Sequence, residues 1–147
     1  TAAAAGGDGD GGAPSLGDPA YVPNLFGLSL TEMLGKQQEF YSGTGSLLFL
    51  QACFDWLRVH GADVDGIFRQ SCLATHLDAL RRYLDANHKR AHLEIRETPA
   101  DVDAHLIACL VKSLFASMPV SPFKHTFGAL TDAVREYAAA VDAADDD

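Results

Sequence analysis

Past residue 20, apolar residues recur at intervals of three and four, and no run alternates apolar and polar residues as a half-buried strand would. Between Gly45 and His60, Leu47, Leu50, Phe54 and Leu57 mark one helical stripe, widened by Leu48, Ala52 and Val59, with Gly61 as the stop. A second helix is predicted from a Ser71 N-cap to about Asn87, with Leu73, Leu77, Leu80 and Leu84 inward and Arg81, Arg82 and Asp85 outward. A third opens at Thr98-Pro99, with Asp101 complementing the helix dipole, and runs through Val102, Leu106, Cys109, Leu110 and Leu114 towards Met118-Pro119. A fourth opens at Ser121-Pro122 and repeats Phe123, Phe127, Leu130, Val134 and Tyr137 on one face. Its acidic end opposes the macrodipole and should fray. The fold class this predicts is all-α, a helical bundle.

Composition divides the chain into three parts. Residues 1–20, rich in Ala and Gly with Pro14 and Pro19, read as a flexible low-complexity linker; residues 21–141 read as one domain; residues 142–147 are an acidic tail. A hydrophobic share of 48% in 147 residues suffices for one core. The net charge of −9 is concentrated at the ends, where seven aspartates leave the body from Tyr21 to Val141 at −2. That body has no basic footprint for a phosphate backbone, which argues against nucleic acid as a partner. The longest apolar stretch, SLLFLQACFDWL, is broken by Gln51 and Asp55 well short of the roughly 20 residues that span a bilayer, so no membrane insertion is expected. The opening TAAAAGGDGD has neither a charged n-region nor an apolar h-region, and a cytoplasmic setting is the expectation. Cys53, Cys72 and Cys109 are an odd number that suits reduced thiols. Cys72 and His76, and His105 and Cys109, stand four apart and would suit zinc only if their helices faced each other; without a tight CxxC pair no metal site is expected.

The stretch GADVDGIFRQSC carries the most distinctive chemistry. Arg69 stands two residues before the predicted cap Ser71, where the partial positive charge of a helix start repels a guanidinium by about 0.3–1 kcal/mol. Gly66 after Asp65 suits a turn, and Ile67 and Phe68 are apolar enough to pin the loop to the bundle. Arg69 is therefore expected to be exposed and to gain from meeting an anion. One candidate lies outside the chain; the local alternative is an ion pair with Asp63 or Asp65, worth about 0–1 kcal/mol if exposed.

Three blocks in order, FGLSLTEML, GADVDGIFRQS and HLIACLVKSLFASMP, resemble the signature blocks of the Rho GTPase-activating protein (RhoGAP) domain. Phe26-Gly27 and Leu30 match the family's FGxxL segment; Gly66-Ile67-Phe68-Arg69 and Ser71 match its GIFRxSG loop; His105, Ala108, Leu110, Lys112, Phe115 and Pro119 match its HxxAxLLKxFLRELP helix. The resemblance covers Phe26 to Pro119 and implies that Arg69 is an arginine finger, inserted into the nucleotide site of a GTP-bound Rho-family small GTPase. The partner then carries GTP and Mg, and this chain, with no cofactor of its own, is an activator rather than an enzyme in its own right. Lys112 is implied to hold the finger loop and contact the partner, with Gly66 and Phe68 as supporting residues and His105 in a packing or capping role. Lys112 is expected on the same face as Arg69, while Leu110 and Leu114 point into the core.

Two positions depart from that pattern. The arginine of LRELP is Ala116, and the glycine closing GIFRxSG is Cys72. The resemblance further implies a domain cut short of its later helices. These departures support a second reading, in which a catalytically weak or inactive RhoGAP-like module binds a small GTPase or another signalling protein.

Overall fold

Burial selects which helical stripe faces inward. In the computed structural model, which describes residues 19–144, the chain forms α1 (Leu30–Gln38), α2 (Leu48–His60), α3 (Ala74–Ala86), a 3-10 turn (His88–Arg90), α4 (Ala91–Arg96), α5 (Ala104–Ser117) and α6 (Phe127–Ala144). All regular structure among the described residues is helical, as the periodicity predicts. The linker assigned to residues 1–20 lies outside the described residues except for Pro19 and Ala20, as does the acidic tail beyond residue 144. No helix of the described residues is long and apolar enough to cross a membrane.

The core forms where α2 packs on α4 and α5, with α3 against α5. Helix α5 buries Ala104, Ile107, Ala108, Cys109, Leu110, Val111 and Leu114, and Leu110 and Leu114 point inward as expected. Each large apolar side chain in this set contributes about 1.5–3 kcal/mol by leaving water. On α2 the inward stripe is Phe49, Ala52, Cys53, Trp56 and Leu57, whereas Phe54 and Val59, assigned to the core from sequence, are exposed. The sequence is apolar on more than one side there. Trp56 decides the rotation, since its indole N–H reaches the Thr98 carbonyl at 3.0 Å only when that face turns inward.

Several helix starts differ from the sequence expectation. Helix α3 begins at Ala74, with Leu73 at the cap position and no side-chain cap, so Ser71 lies outside it and Leu73 is exposed. The Thr98 hydroxyl donates to the Glu94 carbonyl and closes α4, and α5 instead starts behind Asp103, whose carboxylate accepts from His105 N–H at 2.9 Å. Ser121 forms a local turn by accepting from Phe123 N–H, and α6 starts at Phe127. A Ser or Thr can close a turn as readily as open a helix, which is why cap grammar placed these starts too early.

Two helices escaped the periodicity altogether. Helix α1 is fixed by a capping box, in which the Ser29 hydroxyl accepts from Glu32 N–H and the Glu32 carboxylate accepts from Ser29 N–H. Gln37 at its end accepts from Leu48 N–H at 2.8 Å, capping α2 from a distance where Leu47 has no side chain to do so. Helix α4, only six residues long, buries Ala91, His92 and Ile95, too few positions to declare a period.

The segment before α1 is held by Asp85. Predicted on the outer side of its helix, Asp85 is instead 3% exposed, and its Oδ1 accepts from the backbone N–H groups of Asn24 (3.3 Å), Leu25 (2.8 Å) and Phe26 (3.1 Å). Those contacts seat Phe26 in the core, edge-on to Phe49 and beneath the Arg81 guanidinium. The Tyr21 hydroxyl lies beside the same carboxylate, and burial followed by Asp85 holds its pKa well above the ordinary phenol value. Asp85→Ala should strand these backbone donors and cost on the order of 3 kcal/mol in urea unfolding, whereas Asp85→Asn, which keeps an acceptor oxygen, should cost less than half as much.

Candidate functional site

The loop between α2 and α3 is built on tight local hydrogen bonds. Val64 N–H donates to Gly61 O (3.1 Å), Ile67 N–H to Val64 O (3.3 Å), and both Arg69 and Gln70 N–H to Gly66 O (2.9 Å each). Gly66 has φ +68°, the left-handed region. A Cβ there would also come within 3.0 Å of Gln70 Nε2 and 3.2 Å of Arg69 Nη2, but these are the ends of flexible exposed side chains, so it is the positive φ that calls for glycine. Ile67 packs against the core and anchors the loop.

Phe68 does something other than the sequence suggested. It is 42% exposed, so it does not pin the loop to the bundle, and its φ of +66° makes it the sole non-glycine residue in the left-handed region among the described residues. That conformation costs on the order of 1–2 kcal/mol for a side chain with a Cβ. The reversal of chain direction that it produces leaves Arg69 on the exposed side.

Arg69 is exposed, as expected, and enters no ion pair among the described residues; the alternative pairing with Asp63 or Asp65 does not form. The electrostatic reason offered from sequence needs correction, because α3 starts at Ala74 and its dipole falls off within one turn. What isolates Arg69 is the loop backbone rather than repulsion by a helix end.

Lys112 meets this loop from α5. Its Nζ donates to the carbonyls of Phe68 at 2.9 Å and Gln70 at 3.4 Å, the two residues flanking Arg69. Arg69 and Lys112 thus share one face, as expected from the family resemblance, while their helix neighbours Leu110 and Leu114 are buried. Ala116, one turn further along α5, is exposed.

Of the four residues weighed as zinc ligands, Cys109 turns its Sγ towards the Gln70 carbonyl at 3.8 Å, and Cys72 is half-buried. His76 is exposed on α3, and His105 has its Nδ1 buried without a hydrogen-bond partner. No group of three or more His, Cys, Asp or Glu side chains able to hold a metal forms among the described residues.

If the left-handed backbone at Phe68 is maintained by the loop, Phe68→Asn should leave the urea midpoint nearly unchanged, because the tolerance of Asn for that region offsets the apolar area lost from a side chain 42% exposed. Phe68→Val should lower stability by about 1–2 kcal/mol, since a β-branched residue tolerates it worst. Equal stability of the Val variant and the wild type would mean that the loop relaxes freely.

Known proteins resemble this chain in sequence. Rho GTPase-activating protein 35 of rat, mouse and dog is 24% identical to this chain over 106 residues, which make up 72% of this chain and 6% of each relative. The chain therefore spans a small fraction of the curated relatives it matches. The RhoGAP domain profile matches residues 48–142, from the first residue of α2 into α6, taking in the loop of Arg69 and the helix of Lys112. With nearly two thirds of its length matched and an all-helical fold that presents these two residues together, the chain belongs to the RhoGAP domain family.

Proposed function

We propose that this chain is a GTPase-activating protein for a Rho-family small GTPase in its GTP-bound form, and that Arg69 is the arginine finger supplied in trans. Membership of the RhoGAP family supports GTPase activation, by an activator rather than an enzyme in its own right, at the level of the family. The observation that carries the finer reading is the pair of hydrogen bonds from Lys112 to the carbonyls on either side of Arg69. They hold the backbone of the loop while the guanidinium stays exposed and unpaired, so less entropy is lost when the side chain is placed at a phosphoryl group.

The chemistry suits arginine. Its guanidinium keeps its charge, and its planar fork can meet two phosphate oxygens at once, offsetting the charge that develops on the transferred group. GTP and Mg belong to the partner, and this chain contributes no cofactor. Gly66 and Phe68 serve by shaping the backbone that turns Arg69 outward. A cytoplasmic setting is part of the same proposal.

Ala116 favours a second reading, a module that binds the GTPase with weak or no acceleration. It sits on the exposed side of α5 one turn from Lys112, where a longer cationic side chain would flank the finger loop.

Single-turnover GTP hydrolysis across a panel of Rho-family GTPases separates the two. A full finger is worth about 10³–10⁵ in rate, so any acceleration by the wild type should fall at least tenfold in Arg69→Ala, with much less change in binding to the GTP-bound ground state. Lys112→Met should weaken acceleration by roughly tenfold through loss of loop positioning, and Ala116→Arg should raise it. Acceleration that survives Arg69→Ala would reject the finger, and partner binding without acceleration in any variant would establish the module.

A further inference from the structure

Helix α6 has an apolar face that no other helix of the described residues packs along. Phe127, Leu130, Val134, Tyr137 and Val141 are all exposed, from 41% at Val141 to 74% at Tyr137. Phe123 extends the face at its N-terminal end, where its ring meets that of Phe115 on α5 at 6.0 Å. A helix of 18 residues standing alone is marginal in water, because helices in proteins are held mainly by covering such a face.

The spacing and the flanks of that face narrow what can cover it. Phe123, Phe127, Leu130, Val134, Tyr137 and Val141 follow one another in alternating steps of four and three, the heptad pattern of a coiled-coil seam. The positions beside the seam, Thr131, Ala133, Ala138 and Ala140, are small and uncharged. Asp132, Arg135 and Glu136 all stand at the outer heptad positions, and Arg135 Nη1 meets Asp132 Oδ1 there at 3.5 Å.

We infer that α6 is a self-association surface, pairing antiparallel with α6 of a second copy of this chain. Uncharged flanks match themselves, whereas a partner recognised by charge finds no counterpart beside the seam. Antiparallel pairing sets the N-terminal end of α6, with its positive dipole and Lys124, beside the partner's C-terminal end, whose sequence DAADDD is acidic; parallel pairing sets like ends together. The six apolar side chains leave on the order of 600 Å² exposed per copy, so a pair covers roughly 1,000 Å² in total, near the lower bound for a specific interface. Pairing is therefore weak, with a dissociation constant on the order of 10–100 μM. An outer face with two carboxylates against one guanidinium argues against an anionic membrane surface as the cover.

The inference stands on α6 and not on the chemistry of Arg69, so its test does not use GTP hydrolysis. Sedimentation equilibrium of the whole chain over about 5–500 μM should show a mass rising from 15.7 kDa towards twice that value. Val134→Glu, in the middle of the seam, should weaken pairing at least about tenfold, whereas Glu136→Gln on the outer face should pair as the wild type does. Should Val134→Glu disturb the helix, Leu130→Ala, which favours helix, still tests the seam and should weaken pairing about fivefold or more. Copies carrying Val141→Cys, mixed with copies carrying Phe127→Cys and oxidised, should give a linked peptide joining positions 127 and 141, identified by mass spectrometry; Val141→Cys alone should give no link between its two 141 positions. A chain that stays monomeric at the highest concentration, pairing indifferent to both seam variants, a link between two 141 positions, or co-sedimentation with vesicles of phosphatidylcholine and phosphatidylserine in place of pairing would each overturn the inference.

Discussion

The burial of α5 is the constraint on which the rest depends. Seven of its fourteen residues are buried, which fixes both the position of the helix and its rotation about its own axis. A helix held in this way has one free side, and Lys112 and Ala116 lie on it. The ammonium of Lys112 can then reach only what passes over that side, which is the loop between α2 and α3. The geometry at Arg69 is thus inherited from apolar packing several residues away.

The loop itself is a compromise between strain and exposure. Left-handed backbone at both Gly66 and Phe68 reverses the chain twice within three residues, and the cost at Phe68 is offset by backbone bonds within the loop and by Lys112. The Gln70 carbonyl at the same junction also faces Cys109 Sγ, so a polar and a sulfur contact lie side by side under one segment.

In the segment before α1, charge is used for cohesion. Asp85 binds three successive backbone N–H groups and so attaches the segment before α1 to α3, and Gly27 N–H reaches Ser117 Oγ at the end of α5. These contacts link stretches of sequence 60 to 90 residues apart. Helix α6 makes few such links: Phe127, Leu130, Val134 and Tyr137 repeat on one face as the sequence predicts, yet that face is exposed.

Helical class, the approximate extent of α2 and α5, and the ordered blocks around Arg69 and Lys112 were legible in the sequence, because they depend on periodicity and on residue types along a single stretch. Arg69 stood out for being a cation just before a predicted helix start at Ser71, although α3 begins only at Ala74. The rotation of α2, the burial of Asp85 and the exposure of Phe68 were decided only by tertiary structure. Each depends on a partner far along the chain: Trp56 on Thr98, Asp85 on Leu25, the Phe68 carbonyl on Lys112. A local pattern can say that a residue suits a helix face or a turn; which face is covered, and by what, is set by packing energies summed over segments distant in sequence.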